Sequence, residues 1–145
     1  MVPLNSLFEV RYGVNLELNK MELDQHGINF VSRSSQNNGI SARVRRLPDV
    51  EPIDAGMLTV AGGGSVLEAF LQSEPFYSGR DLYYLRALVE MSPAQKLYYC
   101  MCIRANKYRY NYGRQANRTL KDILIPDIHE IPVYVNDADI GMFDG

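Results

Sequence analysis

Apolar and polar positions alternate with a period of two in several short runs, and with a period near three and a half in one longer run. Residues 27 to 33, GINFVSR, read as a strand with Ile28, Phe30 and Ser32 on one face. Asn38-Gly39 in SSQNNGI tolerates the positive φ of a tight turn, so ISARVRRL returns as a second strand of a hairpin. Its alternation sets Ile40, Ala42, Val44 and Arg46 on one face and Ser41, Arg43, Arg45 and Leu47 on the other. Arg43 and Arg45 would then stand side by side, as a solvated strand face or as a phosphate-binding one. MLTVA, residues 57 to 61, and residues 82 to 88 predict further strands, and DILIP a short buried strand stopped by proline. Near the start, Ser6 and Glu9 have capping-box spacing for a short helix ending near Tyr12-Gly13.

The longer period begins at Ser92-Pro93, an N-cap hydroxyl followed by a proline at the first helical position. Ala94, Leu97, Tyr98, Met101, Ala105 and Tyr108 mark one apolar helix face. Cys100 and Cys102, two apart on that helix, point in different directions, which suits packing rather than a disulfide or metal site. The expected architecture is α+β: a twisted, mostly antiparallel sheet, at least one packed helix, and a loop-rich binding face.

Composition narrows the class. The chain has 145 residues, 46% of them hydrophobic, enough for one domain with its own core. Two cysteines and no cationic leader with an apolar run suit a reducing, cytoplasmic setting, and no apolar run is long enough to span a bilayer. Net charge is -2, but its distribution is uneven. Residues 33 to 46 carry four basic and no acidic side chains, and residues 86 to 121 carry eight and one. Acidic blocks separate and follow them. If folding joins the two basic blocks, a near-neutral protein still presents a phosphate-binding surface.

Residues 104 to 126, RANKYRYNYGRQANRTLKDILIP, concentrate this chemistry. Lys107, Arg109, Arg114, Arg118 and Lys121 stand among Tyr110, Tyr112 and Gln115. Guanidinium forks bind phosphate or guanine bidentately, side-chain amides pair with adenine, and tyrosines offer stacking faces. The alternative is a solvated loop packing its tyrosines on the core. With the hairpin residues Arg33, Ser34, Asn37, Asn38, Arg43 and Arg45, these side chains form the candidate DNA-contact set. In AGGGSV, the glycines at 63 and 64 with Ser65 would let a DNA backbone approach closely. That stretch has neither the P-loop lysine nor dinucleotide-binding spacing.

Catalytic constellations do not emerge. His26 and His129 fall in expected loops without ligand-like neighbours, and no serine lies in a nucleophile elbow. A binding module without cofactor or metal is favoured over an enzyme.

The ordered segments EVRYG, INFVSR with NNG and I, TVAGGGSV, AFLQSEPFYSGRDLYYL, YNYGR after the helix, and LKDILIP are similar to a target-recognition domain of restriction-modification specificity subunits, Type I and the related Type II systems. The resemblance spans about residues 4 to 132. It implies a non-catalytic α/β domain that reads a few base pairs of a bipartite site in double-stranded DNA and guides a methyltransferase subunit and a restriction subunit. Base-reading positions vary with the target in such proteins, so the contact set above rests on local chemistry. Full specificity subunits carry two such domains separated by long helices. Here residues 1 to 132 form one domain, and residues 133 to 145 are an acidic tail or the start of a spacer. The chain then reads as a half-subunit or a fragment, and as a homodimer only if the full protein has a spacer helix. Two other readings stay open: an enzyme binding a phosphorylated small ligand at residues 62 to 65, and a protein-interaction module with a tyrosine-rich surface.

Overall fold

The computed structural model describes residues 1–63, 66–107 and 120–136. Among the described residues, three small sheets and one substantial helix carry the fold. Strands β2 (Phe8–Tyr12), β5 (Leu58–Ala61), β6 (Ala69–Leu71) and β8 (Leu82–Ala87) form a four-stranded antiparallel sheet in the order β2-β8-β5-β6. Strands β3 (Leu23–Val31), β4 (Ile40–Val44) and β7 (Phe76–Ser78) form a second, in the order β4-β3-β7, with β3 and β7 parallel. Strands β1 (Val2–Pro3) and β9 (Leu124–Ile125) tie the start of the chain to the DILIP segment. The α+β, mostly antiparallel expectation holds, with the strands divided among three sheets.

Helix α2 (Pro93–Arg104) starts where the sequence placed it. The Ser92 hydroxyl accepts from the Gln95 backbone N-H at 3.2 Å, and the Gln95 side chain accepts from the Ser92 N-H at 2.9 Å. This reciprocal cap satisfies two otherwise orphaned donors. The buried stripe is not the expected one. Ala94, Tyr99, Cys100 and Ile103 face inward, while Met101 is 60% exposed. Adjacent Tyr98 and Tyr99 let the pattern be phased either way, and Tyr99 wins by packing edge-on against Phe8 at 5.5 Å and donating its hydroxyl to the Pro126 carbonyl at 2.9 Å. Tyr108, the last residue of the expected stripe, lies outside the described residues.

The main core lies between this helix and the four-stranded sheet, where Leu4, Leu58, Val60, Leu85, Ile103 and Ile125 are buried. The Ser6-Glu9 capping box does not form. Helix α1 is the single turn Leu4–Leu7, Ser6 donates to the Pro3 carbonyl, and Glu9 already lies in β2. There Phe8 and Val10 alternate with Glu9 and Arg11, and this period of two outweighs a capping spacing with too short a helix behind it. The last described element, α3 (Val133–Asn136), packs against α2, and Gln95 Nε2 donates to Asn136 Oδ1 at 2.8 Å.

The second sheet is buried on both faces at β7 and the end of β3. Val31 and Phe76 pack with Ile53, Met57 and Leu82 on one side, and Phe30, Val44 and Tyr77 form a cluster on the other. Tyr77 also fixes the acidic connection after β4: its hydroxyl accepts from the Leu47 N-H at 2.9 Å and donates to the Val50 carbonyl at 2.7 Å. The β3 strand begins earlier than GINFVSR suggested, at Leu23, because it bulges. Leu23 and Ile28 both register with Val44, so residues 24–27 arch out between them. Gly27 permits this, since a Cβ there would sit 2.1 Å from the Val44 carbonyl oxygen. His26 is therefore in the bulged strand rather than in a loop. His129 lies in a short 3-10 turn, exposed beside Asp127.

Candidate nucleic-acid interface

The β3–β4 hairpin carries the first basic block. Its connection runs over residues 32–39 and closes with three successive positive φ values, 51° at Asn37, 57° at Asn38 and 76° at Gly39. Asparagine tolerates the left-handed region because its amide can bond locally, and glycine enters it freely. Asn37 Nδ2 donates to the Ile40 carbonyl at 3.1 Å. Asn38 does more: its Nδ2 donates to the Leu71 carbonyl at 3.0 Å, and its own carbonyl accepts from Gln72 Nε2 at 2.9 Å. Gln72, 1% exposed, donates also to Thr59 Oγ1 at 3.1 Å. The turn is thus bolted to the end of β6. The Asn38 side-chain amide works within the fold, whereas Ser34 and Asn37 sit on the outer surface of the connection, Ser34 half-buried and Asn37 exposed.

Arg43 on β4 and Arg45 just beyond it are exposed, as the alternation predicted, and each meets an acid. Arg43 lies 3.4 Å from Glu74 and Arg45 2.6 Å from Glu22. The regular alternation ends at Val44: Arg46 is exposed and 2.7 Å from Glu51, and Leu47 is half-buried. These are solvent-exposed pairs of the kind that contribute about 0–1 kcal/mol. Their guanidinium groups can exchange a carboxylate for a phosphate at little cost.

Between the hairpin and the helix lies the glycine turn. Arg33 reaches Asp81 at 3.2 Å, and a Cβ on Gly63 would come within 2.9 Å of the Arg33 guanidinium and 3.3 Å of the Asp81 carboxylate. The backbone supports this contact, since Gly62 N-H donates to the Asp81 carbonyl at 2.7 Å and Asp81 N-H donates to the Tyr12 hydroxyl at 2.7 Å. Gly63 makes room for a side chain of the hairpin. Further along the chain, Lys107 pairs with Glu68 and Arg104 donates to the Ala69 carbonyl. Arg33 thus lies against residue 63, and Lys107 against Glu68 a few residues further along the chain. Lys121 is exposed on the 3-10 turn Leu120–Asp122 and forms no ion pair among the described residues.

Arg109, Tyr110, Tyr112, Arg114, Gln115 and Arg118, together with Gly64 and Ser65, lie outside the described residues. Their stretch departs from Lys107 and returns at Leu120, which is 2% exposed in the main core. The sequence reading passed over Asn29, Glu74 and Gln72. Asn29 and Gln72 are polar residues within 5% of full burial, and polar side chains inside otherwise apolar strand segments are the available signal for such positions.

The cysteines are packing residues. Both are free thiols, and burial pushes the Cys100 thiol up to about 12. Among the described residues, no group of three or more His, Cys, Asp or Glu side chains could hold a metal ion. A cavity of about 280 Å³ lies between residues 55–56, the end of β6 and the start of α2. Lys96 lines it, donating to the Gly56 carbonyl at 2.9 Å, and burial lowers the affinity of its amine for a proton.

No family model matches the sequence, and no curated protein matches it. Solved structures do match. The S subunit of a Type I restriction-modification system from M. genitalium aligns with a TM-score of 0.58 at 18% identity, over 83% of this chain and 32% of that one. A chain from a structure addressing complex assembly and conformational transition of the type I R-M system aligns at 0.69 and 16% identity, over 94% and 37%. The HsdS subunit from Thermoanaerobacter tengcongensis aligns at 0.62 and 14% identity, over 84% and 31%. The α+β architecture is thus one found within Type I restriction-modification specificity subunits. More particularly, the fold matches one part of these S subunits, and the chain spans about a third of the length of the solved chains it matches.

Proposed function

We propose that this chain is a sequence-specific DNA-recognition module that reads one half-site in double-stranded DNA for a restriction-modification complex. Any catalysis belongs to partner subunits, a methyltransferase and a restriction subunit. The fold supports this reading, and one observation carries it: Arg43 and Arg45 stand exposed at the hairpin, each held by a solvent-exposed ion pair that a phosphate can replace. Exposed cations so held can meet phosphates despite a net charge of -2. Arg33, Ser34, Asn37, Arg43, Arg45, Lys107 and Lys121 are the described members of the contact set, with the stretch 108–119 as the main candidate for reaching base edges. Residues 1 to 132 constitute the recognition domain, and residues 133 to 145 are an acidic tail or the start of a spacer. The setting is cytoplasmic, and a homodimer forms if a spacer helix is present.

A small phosphorylated-ligand site at residues 62 to 65 is less well supported. Arg33 and Asp81 already fill the space over Gly63 that a phosphate cradle would leave open. The test is selection from a randomised duplex library with this chain alone and again with any methyltransferase encoded beside it. The proposal expects a short defined preference that sharpens with the methyltransferase. A tight protein complex with no sequence preference in either arm would instead support a protein-interaction module.

A further inference from the structure

The antiparallel register of β3 and β4 sets Asn29 opposite Arg43. Glu74, in the bend before β7, joins them: its Oε2 accepts from Asn29 Nδ2 at 3.3 Å and lies 3.4 Å from Arg43 Nη2. Asn29 is 5% exposed, and its Oδ1 has no hydrogen-bond partner among the described residues. Buried polar atoms are nearly always satisfied, so an orphaned acceptor marks a place where something else donates. The Arg43–Glu74 contact itself is solvent-exposed, with both side chains about half accessible, and such a pair adds little stability.

On a surface approached by a duplex, a lone carboxylate repels phosphate. Its favourable partner in DNA is an exocyclic amino group, and Glu or Asp accepting from cytosine N4 is the established pairing. Arginine pairs with guanine O6 and N7. Those two groups belong to one base pair and lie side by side in the major groove, because cytosine N4 and guanine O6 bond to each other. A guanidinium and a carboxylate held 3.4 Å apart match that arrangement.

We propose that Arg43 and Glu74 together read one G·C base pair, Arg43 donating to guanine and Glu74 accepting from cytosine, with Asn29 as the positioning residue beneath them. This rests on the DNA-recognition reading and deepens it. Asn29 fixes the carboxylate through Nδ2. The ion pair keeps both side chains poised side by side.

The test is duplex selection at low salt with the parent chain, Glu74→Ala and Arg43→Ala, with thermal unfolding confirming that each variant is folded. The parent should select G·C at one position. Both substitutions should relax that same position, by roughly 5- to 150-fold in discrimination. Their affinities for arbitrary duplexes should diverge, rising for Glu74→Ala, which removes a negative charge, and falling for Arg43→Ala. Asn29→Ala should relax the position more weakly. If the parent selects a sequence and the two variants shift affinity uniformly, or leave the profile unchanged, the pair is only a surface ion pair and the inference is overturned. If the parent selects no sequence, the recognition reading fails, and this inference falls with it.

Discussion

Replacing Gln72 by leucine tests whether the hairpin turn is held in place by the bolt described above. Leucine matches the volume of glutamine closely enough that packing changes little, so the loss is polar. Two hydrogen bonds disappear, to the Asn38 carbonyl at 2.9 Å and to Thr59 Oγ1 at 3.1 Å. Thr59 keeps its bond to the Phe70 carbonyl at 3.4 Å, but the Asn38 carbonyl is left without its partner in a part-buried site. A stranded buried acceptor costs about 1–3 kcal/mol and a lost neutral hydrogen bond about 1 kcal/mol, giving about 2–4 kcal/mol in all. Urea unfolding followed by circular dichroism reads this directly, with m unchanged if only the native state is affected. For a domain of this size the same loss lowers Tm by roughly 4 °C per kcal/mol. Asn38→Gly is the companion variant. It keeps the φ of 57° accessible and removes only the bond to Leu71, for about 1 kcal/mol. A Gln72→Leu protein within about 0.5 kcal/mol of the parent, the range of ordinary surface changes, would refute the anchoring role of this network.

Four further outcomes follow from particular residues. Gly27→Ala should destabilise by about 1–3 kcal/mol in the same unfolding assay, because the added Cβ meets the Val44 backbone at 2.1 Å and neither strand can yield alone; a neutral result would deny the bulge. Cys100 should resist thiol reagents at pH 8 in the folded protein and react on denaturation, since burial raises its thiol to about 12; rapid labelling without unfolding would contradict its burial. Because that value lies above the thiol's ordinary 9.0, the Cys100 contribution to stability is complete below pH 9 and is lost as pH rises toward 12, which Cys100→Ser should abolish. Arg109, Arg114 or Gln115 variants should change the preferred bases at one or two positions, whereas Lys121→Ala should weaken all duplexes alike. If all three loop variants keep the parent profile and affinity, the hairpin from Ser34 to Arg45 is the better candidate reader.

The parts legible in the sequence are those fixed by local chemistry. Ser92-Pro93 started a helix, Asn38-Gly39 made a turn, and DILIP stopped at its proline, because each rests on φ preference or a missing N-H. Exposure of Arg43 and Arg45 followed from the period of two. The errors arose where tertiary contacts decide. The inward face of α2 turned on Tyr99 meeting Phe8 and Pro126, both distant in sequence. The arch in β3 depends on two residues competing for Val44, which no local pattern records. The acids beside the arginines were also hidden: Glu22, Glu74 and Asp81 belong to other segments, and only folding sets them against Arg45, Arg43 and Arg33.

The central claim is that a near-neutral chain gathers a phosphate-binding face, and the dependence of duplex affinity on salt tests it most directly. Each phosphate neutralised contributes about -0.9 to the slope of log K against log salt. A face engaging four phosphates gives a slope near -3.6, so affinity should fall by roughly 100-fold between 50 and 200 mM salt. Affinity that stays constant across that range, or no duplex binding at the low-salt end, would contradict the account.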